Sequence, residues 1–238
     1  CGFEPQWVLL KRTDGVESWL LFDTMRGIVT GGNDPFLQPN STAAASTGDD
    51  FIDVSATGFD VHGGLNGEYI YMAIRRPMKT PTVDTRGSTG DGVNPTYRSA
   101  WPVDMALLRN VGYSSASTML TPRLTGSQYM YANQTYAEAA ANTVVVWDFM
   151  NGWHNDTGTN TAQVSWMFKR ATGFMDVVAY AGNGTAGRTV AHNLGVVPEM
   201  IWVKGRVRSN TGWAVYNKTI GNTKRLELDS AAGSATAT

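Results

Sequence analysis

Apolar positions along the chain come in short runs rich in Val, Trp, Tyr and Phe, and Gly, Asn, Asp and Ser separate them. MDVVAY, RTVAHNL, MIWVK, WAVYN, LELD, VVVWDF and QVSWMF are the clearest runs, and their length and composition predict β-strands joined by turns. Helical periodicity is nearly absent. TYAEAAANT (residues 135–143) is the best helix candidate; its counterpart STAAASTGD is too short and polar for more than a turn.

The runs repeat, and the repetition sets the domain organisation. GFEPQWVLLKR (residues 2–12) returns as GVVPEMIWVKG (195–205), with Gly, Pro and Lys at matched offsets, and more weakly as AWPVDMALLRN (100–110). The next block reads SWLLFDTMRG (18–27), STMLTPRLTG (117–126) and GWAVYNKTIG (212–221), so Trp19 matches Trp213 and the middle copy carries Thr118 there. A third block reads FLQPNSTA (36–43), YMYANQTY (129–136) and RLELDSAA (225–232). Two more blocks pair only the first two copies, FIDVSATGF with VVWDFMNGW and YIYMAIRRP with VSWMFKRA. The reading is all-β: tandem antiparallel β-sandwich modules with very little helix, jelly-roll topology remaining open. The modules are residues 1–77, lacking a first hairpin, a divergent 78–170, and 171–238, which stops before the last two blocks.

Of the 238 residues, 42% are hydrophobic, enough for buried cores, and the net charge of -1 gives no electrostatic footprint for nucleic acid. No apolar run approaches a membrane span, so no membrane insertion is expected. The single cysteine, Cys1, rules out an internal disulfide and a multi-thiolate zinc site. With no initiator Met, the chain reads as a segment of a longer polypeptide.

Gly182, Gly184 and Gly187 stand at G-x-G-x-x-G spacing, the form of a dinucleotide fingerprint. Such a site needs a helix after the glycines and an acidic residue about twenty positions on. Here RTVAHNL alternates like a strand and VKGRVRS is basic, so GNGTAG reads as a turn between antiparallel strands and no cofactor is expected. No G-x-S-x-G elbow is present, and His192, beside Asn193, reads as a turn-bonding side chain. WHNDTGTN (153–160) lacks a regular calcium-loop pattern, and Glu138, Asp148 and Asp156 share no local signature of a glycosidase pair. No catalytic or metal-binding residue is assigned. N-x-S/T triplets at Asn40, Asn133, Asn155, Asn183 and Asn217 read as turns.

Aromatics at matched positions, Trp19 with Trp213, Phe59 with Trp153 and Tyr71 with Trp166, read as core. Those without a counterpart are the candidate contacts for a glycan or partner: Tyr131 and Tyr136 with the amides Asn133 and Gln134, Tyr97 and Trp101 at a module junction, and Tyr113 in a loop. A flat ring beside amides suits a sugar face and its hydroxyls.

The run GFMDVVAYAGNGTAGRTVAHNLGVVPEMIWVKGR, followed by GWAVYNKTIG and RLELDS, resembles a repeated module of predicted tail-fibre and other appendage proteins of tailed bacteriophages, notably marine ones. Its most specific parts are V-x-H-N-L-G-x-x-P at Val190 to Pro198 and the tryptophan block at Trp19 and Trp213. The middle copy departs from both. The resemblance implies a non-enzymatic virion protein, assembled in the bacterial cytoplasm, that spaces and presents a host-recognition surface. It also implies self-association, with trimers expected from fibres in general, and contact with other virion proteins and a host surface glycan. Capsid or neck decoration, and accessory modules of a carbohydrate-active depolymerase, are the rival expectations.

Overall fold

The computed structural model describes residues 1–75, 83–84, 95–141, 145–155 and 162–237. Its order is almost entirely strand, and among the described residues the helical content is one 3-10 turn, Arg123–Thr125. The first repeat supplies β1 (Pro5–Arg12), β2 (Leu20–Asp23), β3 (Phe36–Leu37), β4 (Ile52–Ser55), β5 (Gly58–Val61) and β6 (Tyr69–Arg75). From the second come β7 (Val83–Asp84), β8 (Tyr97–Arg98), β9 (Met105–Asn110), β10 (Met119–Pro122), β11 (Gln128–Tyr131), β12 (Ala139–Ala140), β13 (Val145–Val146), β14 (Gly152–Asn155) and β15 (Gln163–Phe168). The third adds β16 (Met200–Val203), β17 (Ala214–Asn217), β18 (Lys224–Glu227) and β19 (Ala235–Thr236).

All the sheets are antiparallel. Their orders are β3-β2-β1-β6 in the first repeat, β12-β11-β10-β9-β15-β7 in the second and β16-β17-β18-β19 in the third. The register repeats residue for residue: Leu9 faces Leu21, Leu107 faces Leu120 and Trp202 faces Val215. β1 is apolar on both faces because its sheet is a middle layer, covered on each side.

Inner faces of the three sheets meet in one core. Trp7, Leu9, Trp19 and Leu21 come to it from the first repeat, Leu107, Leu120, Val164 and Trp166 from the second, and Trp213, Val215, Leu226 and Leu228 from the third. Outer faces are covered separately. The β4-β5 hairpin closes a core of Val8, Leu10, Leu20, Phe22, Phe36 and Ile52. In the second repeat the small sheet β13-β14-β8 closes one of Ala106, Leu108, Met119, Trp147, Trp153 and Tyr97, which makes that repeat a two-layer sandwich. The close approach of β8 to β14 requires Gly152: a Cβ there would lie 2.0 Å from the Tyr97 carbonyl oxygen.

Three expectations need correction. The helix expected over residues 135–143 is absent from its described part, 135–141; Ala139–Ala140 pairs with β11 as β12, because the neighbouring sheet edge satisfies its backbone. MDVVAY and RTVAHNL are not strands, since the strands that pair with their counterparts in the second repeat have no equivalents beside them among the described residues. Tyr71 does not match Trp166. β6 and β15 align through their pairing, in which Met72 faces Leu9 and Trp166 faces Leu107, so Met72 is the true counterpart. A slip of one residue turns a strand side chain to the other face: Trp166 enters the central core, whereas Tyr71 points outward against Phe59.

Candidate functional site: the open third sheet

What locks the three repeats together also defines what the third leaves open. Ala45 N–H donates to Val111 O at 3.4 Å, Glu138 N–H to Arg206 O at 2.7 Å and Ser234 N–H to Thr13 O at 2.8 Å. These are equivalent positions, so the contacts run from first repeat to second, second to third and third back to first. A closed cycle results. Beneath it lie three matched cations, Lys11, Arg109 and Lys204, each donating to at least one backbone carbonyl of a neighbouring repeat. Lys11 Nζ reaches Ala231 O at 3.1 Å and Glu17 O at 2.7 Å. Arg109 reaches Ser41 O at 2.7 Å and also Ala43 O, and Lys204 reaches Gln134 O at 2.9 Å and also Thr211 O.

Burial disfavours the charged form of all three cations. It pulls Lys11 down to about 8 against the opposing pull of Glu17, Arg109 down to about 10, and Lys204 below the ordinary lysine value. The tryptophans join the same cycle: Trp19 Nε1–H donates to Glu227 O and Trp213 Nε1–H to Tyr131 O, each at 2.9 Å. Thr118 replaces the indole where the cation is Arg109, whose longer head donates to the Thr118 hydroxyl at 3.1 Å. Both residues are buried, so the departure of the middle copy is an exchange inside the core.

Only the outer face of the third sheet lacks a cover of strands among the described residues. At matched positions Val8 and Leu10 are 0% and 3% exposed, Ala106 and Leu108 0% and 4%, but Ile201 and Val203 40% and 42%. Ala214 and Tyr216 on β17 and Arg225 and Glu227 on β18 share this face and are partly exposed. The edge is open as well. β1 pairs with β6 and β9 with β15, whereas among the described residues β16 pairs with β17 alone.

Ahead of β16 an exposed stretch carries Phe174, Val178, Tyr180, Val190, Val196 and Val197. It is pinned at its base, where Asn193 N–H donates to Asp176 Oδ2 at 2.7 Å and Gly173 N–H to Leu194 O at 2.7 Å. His192 bonds this turn, its Nδ1 accepting from Leu194 N–H at 3.3 Å. Gly184 and Gly187 take positive φ here, and no helix follows them.

The predicted contact residues are not brought together as one surface. Tyr97 is buried and stacked on Trp153. Tyr131 is half-buried against the core of the second repeat, edge-on to Tyr129. Asn133 is a brace: its Oδ1 accepts from Thr118 N–H at 3.3 Å and its Nδ2 donates to Ser117 Oγ at 3.2 Å. At the matched positions Asn40 Oδ1 accepts from Trp19 N–H at 2.9 Å and Asp229 Oδ1 from Trp213 N–H at 2.6 Å. Gln134 offers its carbonyl to Lys204, Trp101 is half-buried, and Tyr113 and Tyr136 are exposed. Glu138 is engaged by Arg206 through both oxygens, at 2.7–3.1 Å. Asp156, the loop to residue 160 and residues 85–94 lie outside the described residues.

Two of the three histidines have side-chain partners. His62 Nε2 lies 2.9 Å from Asp53 Oδ2, but no hydroxyl or thiol bonds to that histidine among the described residues. His154 Nδ1 lies 2.7 Å from Thr96 Oγ1. Among the described residues no group of three His, Cys, Asp or Glu side chains could hold a metal ion, and no helix is long and apolar enough to cross a membrane. The braces and cations escaped the sequence reading, although Lys11 and Lys204 stood at matched offsets within the repeated block.

Fold and site together define an all-β repeat protein whose last sheet is uncovered. The family model described as Domain of unknown function (DUF7483) matches residues 1–77 and 113–238, and the chain belongs to that family. No curated protein and no solved structure matches it.

Proposed function

We propose that this protein is a non-enzymatic structural part of a tailed-phage virion, a segment of a tail fibre or related appendage that spaces and presents a host-recognition surface. The observation that carries this reading is the contrast between a closed cycle of repeats and an open sheet at one end of the chain. Cations that bond backbone carbonyls across the repeats make a rigid body, and an unfilled sheet edge makes an assembly point. The phage assignment rests on the repeated blocks and the resemblance they carry. Other virion proteins and further copies are its partners, and a host glycan is met through exposed rings, with Tyr136 and Tyr113 the best placed.

Gold-labelled antibody against the protein, applied to intact virions under negative stain, tests the location. Label on the tail is expected; label on the head would move the protein to capsid decoration, and unlabelled virions would overturn the reading. Release of oligosaccharides from host polysaccharide by the purified chain would make it an enzyme instead.

A further inference from the structure

The edge of β16 and the outer face of the third sheet are one site, and the other two repeats show what fills it. We propose that it binds the hairpin-and-strand half of a further repeat of this family, with a strand of the β6 and β15 type added antiparallel to β16. This rests on the structural reading above and names the partner of its assembly point. The interface is already established twice within the chain, and β16 continues the same sheet in the same register with β17.

The register specifies the occupant's chemistry. β9 and β15 pair Met105 with Phe168, Ala106 with Met167, Leu107 with Trp166 and Leu108 with Ser165; β1 and β6 pair Leu9 with Met72 and Leu10 with Tyr71. The incoming strand therefore sets apolar residues opposite Met200 and Trp202, facing the central core. Trp202 stands where the other repeats have leucine, so the residue opposite it is smaller than the tryptophan of β15, to keep the packed volume. Main-chain hydrogen bonds along the free edge give the strand its hold, and alternate side chains give it specificity. The hairpin that precedes this strand in the chain covers Ile201, Val203 and Tyr216 with apolar side chains and meets Arg225 and Glu227 with polar ones, where the first repeat has Phe36 and Gln38.

The test appends a second copy of residues 51–75, which places Met72 opposite Trp202, after the last residue of the chain through a short flexible spacer, which holds the segment at high effective concentration. The fused chain is expected to melt about 5 °C or more above the original. Backbone amides of Met200–Val203 are expected to exchange at least about tenfold more slowly. The double variant Ile201→Lys/Val203→Lys, altered only at exposed positions, should lose both gains when fused and melt like the original when not. No change in melting or exchange on fusion overturns the proposal, as does an equal gain in the double variant. Failure here leaves a tail-labelling result standing, and unlabelled virions would not touch this outcome.

Discussion

The second and third repeats share strand register, a matched cation, a side-chain brace and a face in the common core, yet one is a finished sandwich and the other a bare sheet. Their difference lies on the outer side and at the free edge of β16. Inner-face residues are fixed by contacts that run around the cycle, so Trp213 and Leu226 are as buried as Trp166 and Leu107. Outer-face residues depend on a cover that each repeat must obtain for itself. Packing around a shared centre thus lets a repeat fold into place before its second layer is supplied.

The largest effect that sharpens this contrast is at β2 and its counterpart. Phe22→Ala should cost about 3–5 kcal/mol in urea unfolding, because a fully buried ring leaves a cavity, whereas Tyr216→Ala should cost less than about 1 kcal/mol. Equal losses would mean that the third outer face is covered after all.

A second contrast is in pH. Lys11 titrates at about 8 when folded and near 10.5 when unfolded. Between those values the unfolded chain holds a proton that the folded chain has lost, so stability rises with pH across the window. The rise should be on the order of 2 kcal/mol between pH 8 and pH 10, and absent in Lys11→Met. Above about pH 10 Tyr69 works the other way, since burial and its bond to Glu17 hold its hydroxyl above the ordinary value. A wild-type curve that matches the variant would show that Lys11 is solvated.

Within the core, Thr118→Trp should destabilise by about 1–3 kcal/mol, because the indole and Arg109 compete for one space. Adding Arg109→Lys should recover most of the loss, recreating the pair found in the other repeats. The smallest effect concerns the braces: Asn40→Ala and Asp229→Ala should each cost about 1 kcal/mol, since each frees the backbone N–H of a buried tryptophan. Similar values would confirm that the first and third repeats share one inner architecture.

Strand content, repeat order and the kinship of Trp19 and Trp213 were legible because period-two patterns and rigid aromatics leave a local trace. The one-residue slip at Tyr71 was not, since YIYMAIR and VSWMF are apolar enough to align in either phase and only the pairing partner decides. Tyr97 looked available for the same reason that Thr118 looked specialised: a sequence shows what is unusual without showing which side of a sheet it faces. Residues 175–180 and 188–194 have strand composition, but a strand needs a neighbour, and composition does not say whether one is there. The cyclic cations were hidden because their partners are backbone carbonyls, which carry no residue identity.

Native-state hydrogen exchange on the isolated chain tests the openness of the third sheet most directly. Amides of Gln6–Arg12 and Met105–Asn110, in strands paired on both sides, should share the slow exchange of global unfolding, while those of Met200–Val203 that face the free edge should exchange at least about a hundredfold faster. Uniform slow exchange across all three strands would contradict an open edge at β16.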